Sequence, residues 1–152
     1  MTKALLLTVS SLAAAFVGAS GCADKVVKTT YQDEGQACVI PQTDPSISGG
    51  PEVEIRADEE LLVHVLSDGC QSWCAKVKES SCSVFTDGSI IRVSSHAEVT
   101  EVIDSSEGCQ EECRRVESPC PLGPLSPGSY TILHGNESQM IEVPGTYTCK
   151  PG

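Results

Sequence analysis

Apolar and polar positions alternate with a period of two in several short runs of this chain. Val53 and Ile55 alternate with Glu54 and Arg56. Leu61, Val63 and Val65 fall on one side of an extended chain, and Leu62, His64 and Leu66 on the other. Successive side chains of a strand point to opposite faces, so the first run predicts a half-buried strand and the second a strand apolar on both faces. Ser81–Thr86 and Ser89–Ser95 flank Asp87-Gly88. An Asp-Gly pair between β-branched runs predicts a hairpin with a type I′ turn, which needs positive φ at both central positions. Tyr130–His134 and Gln139–Val143, joined by Gly135-Asn136-Glu137-Ser138, predict a second hairpin. Helix is confined to a turn or two around 71–78 and 110–116. Six or seven short strands, with turn signals roughly every 8–12 residues, predict an all-β fold, a small antiparallel β-sandwich.

The first residues follow another pattern. Met1-Thr2-Lys3 precedes an apolar run from Ala4 to Ala19, then Ser20-Gly21-Cys22. One positive charge, a short hydrophobic stretch and small residues before a cut site predict a signal peptide over residues 1–21. Thr8, Ser10, Ser11 and Gly18 interrupt the run, which is shorter than the ~20 apolar residues of a spanning helix. Ala19-Ser20-Gly21-Cys22 resembles the lipobox of bacterial prolipoproteins, with Ala19 where Leu is commonest. The resemblance implies a diacylglyceryl group on the Cys22 sulfur, cleavage before Cys22 and acylation of the new amine. Several acyl chains exceed the two signals needed for stable anchoring. In this family an Asp after the Cys commonly retains the protein in the inner membrane. Ala23 stands there, so the resemblance points to the outer membrane. Residues 23–36 are mostly polar with no sustained period, and 41–51 are rich in Pro, Gly and Ser. Residues 22–51 are therefore expected as a lipid-anchored flexible tether and loop pinned at Cys38, and residues 52–152 as the sandwich domain.

Cysteine parity bears on the anchor. The chain has nine cysteines, and an odd count in an exported protein leaves one unexplained. Assigning Cys22 to lipid leaves Cys38, Cys70, Cys74, Cys82, Cys109, Cys113, Cys120 and Cys149, an even set expected to be disulfide-bonded. Phe, Tyr and Trp are scarce, so the core must be built from Val, Ile and Leu, and domains of this size with small cores often add disulfides. Asp68-Gly69-Cys70-Gln71-Ser72-Trp73-Cys74 and Glu107-Gly108-Cys109-Gln110-Glu111-Glu112-Cys113 both read acid-Gly-Cys-Gln-x-x-Cys, followed by Cys82 and Cys120. Each cluster holds three cysteines, so at least one from each must pair outside it. The arrangement expected is a staple within each cluster, one bridge between them, and Cys38–Cys149 tying the two ends.

Charge narrows the partners. The formal charge is −11, and loss of Lys3 with the signal peptide makes it −12. Such a surface repels nucleic acid, and contact with a membrane is expected only through the lipid on Cys22. The C-x-x-x-C pairs raise a metal or redox role, but His64, His96 and His134 lie on three different predicted strands and Met140 is the one Met beyond the signal peptide. No cofactor or metal is expected. No G-x-S-x-G is present, so no Ser-His-Asp set is nominated. The acidic runs Asp58-Glu59-Glu60 and Glu111-Glu112 suit solvated turns, and Trp73 suits a place against a neighbouring disulfide. Leu125-Ser126-Pro127-Gly128-Ser129-Tyr130-Thr131 resembles the start of the final hairpin in immunoglobulin-like bacterial surface modules, which implies that fold class with Tyr130 packed inward. The expectation is a lipid-anchored, non-enzymatic binding or structural module of the cell envelope, its partner an unknown protein or envelope polymer. The alternative is an inhibitor of a basic envelope hydrolase such as lysozyme. Thiol titration of the unfolded, unreduced mature protein should find essentially no free cysteine, and two or more would restore the redox or metal role.

Overall fold

The computed structural model describes residues 25–43, 52–72, 74–103 and 114–149. Cys22, Trp73, Cys109 and Cys113 lie outside the described residues, as do the signal peptide and the loop at 44–51. The described chain is all-β, with ten strands. They are Lys25–Gln32 (β1), Gln36–Pro41 (β2), Glu52–Ile55 (β3), Leu61–Leu66 (β4), Ala75–Asp87 (β5), Ile90–Ile103 (β6), Glu117–Pro121 (β7), Gly128–His134 (β8), Glu137–Val143 (β9) and Gly145–Thr148 (β10).

The strands form three sheets. The largest is organised on β6, whose one edge is taken by β5. Its other edge is shared. Ile90–Val93 pairs in parallel with Thr131–His134 of β8, and His96–Ile103 pairs antiparallel with all of β1. β9 completes this sheet beside β8. A second sheet runs β2-β4-β7, and β3 pairs with β10 in a third. Every ladder except β6–β8 is antiparallel. The sheets close as a sandwich on one core, to which Ile40, Ile55, Leu61, Ile91, Ile132 and Ile141 each bring a fully buried side chain. Burying one such side chain is worth about 1.5–3 kcal/mol. β4 is the central strand of its sheet and, as its sequence predicts, is covered on both faces.

Followed around the core, the hydrogen-bonded ladders stop at three places. Here β7 lies against β5, β9 against β10, and β3 against β2 without pairing. Each seam is closed by a covalent connection. Cys82–Cys120 joins β5 to β7 with Cα atoms 5.3 Å apart. Cys38–Cys149 joins β2 to the residue after β10 with Cα atoms 5.7 Å apart. Beside it the Tyr147 hydroxyl donates to the Val39 carbonyl. The third seam is closed by the chain itself, which turns from β9 into β10 through the cis Val143–Pro144 bond. The bridge between clusters and the bond tying the two ends are therefore both present. Cys70 and Cys74 are disulfide-bonded as well.

Several expectations are corrected. Residues 25–32, expected within a flexible tether, form β1, paired along its whole length. The alternation there is real but faint: Val27, Thr29 and Tyr31 turn inward, and a threonine at the centre dilutes the apolar signal. Residues 36–41, expected as a pinned loop, form β2, with Ala37, Cys38, Val39 and Ile40 all buried in the common core. The boundary at residue 52 thus divides one core. Residues 75–78, expected to contain a helical turn, belong to β5, whose Ala75 and Val77 stand opposite Glu101 and Val99. Both hairpin turns also differ, the first shifted by one residue and the second shorter than the segment expected. The first turn is Gly88-Ser89 between the paired Asp87 and Ile90, and the second is Gly135-Asn136 between His134 and Glu137. In each only the leading glycine has positive φ, +58° and +54°. A glycine in the first central position is the mark of a II′ turn, so Asp-Gly signalled the hairpin and misplaced its turn by one residue.

The separations of 111 and 38 residues set an expectation for stability. Loop closure in the unfolded chain makes the first bond worth about 5 kcal/mol and the second about 4. Replacing each pair by alanines should lower the unfolding free energy in urea by those amounts. A loss below about 1 kcal/mol for both would show that packing alone holds the seams.

Candidate functional site

The described surface has a cleft of about 690 Å³ where the β1–β2 turn, the β8–β9 hairpin and the end of β10 converge. Its size lies within the range of small-ligand sites. Ala37 and Ile132 supply apolar lining, Gln36 and Gln139 amides, and Asp68 and Glu137 carboxylates. The Gln139 amide is held by the Thr148 carbonyl at 3.3 Å. Among the described residues no Lys or Arg lines the cleft. The carboxylates of Asp68 and Glu137 suit it to polar or cationic groups.

One wall is His134, and its position follows from a problem in the sheet. β6 leaves β8 at Val93 and meets β1 at His96, which leaves the backbone N–H and C=O of Ser95 without a ladder on that edge. Buried backbone groups without partners are costly. Asp33, in the turn after β1, resolves this. Its carboxylate Oδ1 accepts from the Ser95 N–H at 2.7 Å and the Ser94 hydroxyl at 2.9 Å. Its own N–H donates to the Ser95 carbonyl at 2.9 Å, to which the Gln32 amide also donates, at 3.1 Å. Asp33 has φ +52°, a left-handed conformation that Asp tolerates better than most residues. The Ser95 N–H, chiefly, holds the Asp33 carboxyl below its ordinary range against the opposing effect of burial.

His134 is bonded into the same junction. Its Nδ1 lies 2.9 Å from the Gly35 carbonyl and its Nε2 2.8 Å from the Ser95 hydroxyl. A carbonyl only accepts, so Nδ1 carries a proton, and in the neutral ring Nε2 accepts from Ser95. This is the contact of a base with a nucleophile, and Asp33 is nearby. The Ser95 hydroxyl, however, does not line the cleft; Ser95 borders a separate recess of about 10 Å³, with room for little more than one water. With Ser95 and His134 only 7% and 2% exposed, an acyl carbon has no approach to the oxygen. The set is a structural clasp. It is packed at the limit of sterics: a Cβ on Gly135 would stand 2.1 Å from the Asp33 carbonyl oxygen, and one on Gly35 2.0 Å from that of Leu66.

The histidines do lie on three strands, β4, β6 and β8, and are not brought together. His64 is buried, its Nε2 3.4 Å from a Glu117 carboxylate oxygen, and His96 Nδ1 meets the Gln32 amide oxygen at 3.1 Å. The sulfurs of Cys38, Cys70, Cys74, Cys82, Cys120 and Cys149 are all in disulfides. Tyr130 packs against the core as its motif implied, and its hydroxyl donates to the Ser126 carbonyl at 2.9 Å. The two similar cysteine clusters do meet: Gln71 and Arg114 exchange backbone hydrogen bonds of 2.8 and 3.0 Å. Sequence reasoning missed both the clasp and the cleft. Asp33-Glu34-Gly35 carried only a turn signal, and nothing local links it to residues 95 and 134. No family model, curated protein or solved structure matches this chain.

The clasp gives the protein a pH dependence with a definite sign. A carboxyl depressed in the folded state adds stability that is complete above its unfolded pKa and is lost as pH falls through the folded value. Between about pH 5 and pH 2 the urea midpoint of the wild type should fall more steeply than that of Asp33→Asn. Parallel curves would remove Asp33 as a contributor.

Proposed function

We propose that this protein is a lipid-anchored component of the cell envelope whose β domain is a non-enzymatic binding module. The observation that supports it best is the oxidised state of the six described cysteines, with two bonds closing seams that no ladder closes, after an N-terminal segment that resembles a lipoprotein signal. Structural disulfides of this kind suit an oxidising, extracytoplasmic compartment. The cleft beside the β8–β9 hairpin is the binding surface of this module. A second proposal, inhibition of a basic hydrolase such as lysozyme, is favoured by Asp68 and Glu137 in that cleft and by the charge of −11.

Cys22→Ser should abolish acyl labelling of the protein and block processing before residue 22. Continued labelling of the variant would refute the anchor. Lysozyme turnover should fall on addition of the soluble domain if that enzyme is the target, and unchanged turnover in a molar excess rules it out.

A further inference from the structure

The first described residue of β1, Lys25, follows Cys22 by three positions. Three residues span at most roughly 11 Å however they are arranged. Acyl chains on Cys22 therefore hold the start of β1 at the bilayer, and no long tether separates lipid from domain. We propose that the end of the largest sheet where β1 begins is seated on the membrane surface, which fixes the orientation of the whole domain. This inference rests on acylation of Cys22.

The side chains at that end fit such a seat. Val26 stands directly opposite Val102 on one face of the sheet, and Val77 lies on the other face, opposite the buried Val99. Val26, Val77 and Val102 are 54%, 50% and 40% exposed, and only Phe85 and Met140 join them as exposed large apolar residues among those described. Interleaved with the valines are Lys25 and Lys28 on β1 and Lys76 and Lys78 on β5, with Lys28 and Lys76 both opposite Thr100. Lysine stems lie along apolar surface while their ammonium groups reach the headgroups. The lysines do not make a purely basic patch. Glu79 and Glu98 face one another in the next row, Glu101 accepts from the Ser72 hydroxyl, and Asp104, Glu107, Glu111 and Glu112 follow β6 in sequence. Short covalent reach and exposed valines carry the seat; lipid charge is secondary.

The consequence concerns what faces outward. Val102 and Arg92 are ten residues apart on β6, roughly 33 Å at strand rise. Phe85, opposite Arg92, and the Gly88-Ser89 turn beyond it thus point away from the bilayer.

The test uses the full acylated protein in vesicles containing brominated lipid. A tryptophan is placed at Val26, at Val102 or, as the distal control, at Phe85, each in a Trp73→Phe background; all three positions are exposed. Quenching of about two-fold or more is expected at Val26 and Val102, with little at Phe85. Equal quenching at all three positions, or none at any, would overturn the seat. Failure of the protein to enter vesicles at all would instead overturn acylation at Cys22. Should Trp73→Phe not fold, the same comparison is made by difference in the native background.

Discussion

Hydrogen-bonded ladders cannot carry this fold around its core, and the rest of the structure depends on how the gaps are bridged. A sandwich is usually held across its gaps by large side chains interdigitating between sheets. Here the core is made almost wholly of Ile, Val and Leu, with Tyr130 and Tyr147 only partly buried against it. Cys82–Cys120 and Cys38–Cys149 stand at the seams where sheet meets sheet. The second also fixes both ends of the described core, because β2 and the residue after β10 are far apart in sequence and adjacent in space. Burial and cross-linking therefore act on the same places.

The long strand β6 is the other organising element. Among the described strands it alone serves two partners along one edge, and the change of partner leaves a short interval unpaired on that edge. The interval is filled by one turn, Asp33 to Gly35, and by His134 from the hairpin beyond. The same turn forms a wall of the cleft. The cleft is thus a by-product of the junction: the elements that repair the ladder are those that converge on the surface. It also explains the separate small cluster of Tyr31, Ala97, Val99 and Val116, which is the underside of β1 and the lower half of β6. Ser67 closes it, its N–H donating to the Val116 carbonyl and its hydroxyl accepting from the Val116 N–H.

Much of this was legible in the residues. The runs at 61–66, 81–95 and 130–143 announced their strands, the first by apolar residues on both faces and the other two by β-prone segments flanking glycine-containing turns. β1, β7 and β10 were missed for a shared physical reason. Each is short or half-exposed and takes its partners from distant sequence, so its backbone is committed by pairing rather than by its own pattern. β7 reads Glu-Ser-Pro-Cys-Pro, which no strand propensity favours, yet it is held at the sheet edge by β4 and by Cys82. The edge position tolerates its prolines.

An all-β class, an even set of cysteines after Cys22 and an acidic balance were legible in the residues alone. These are local or compositional properties, and no partner is needed to read them. Folding in three dimensions was needed to show that residues 25–41 belong to the domain, that His134 and Ser95 form a clasp, and that Val26 and Val102 stand side by side at one end of the sheet. Each of those depends on contacts between residues tens of positions apart. Such contacts are chosen by the joint packing of all the strands, which no window of sequence contains.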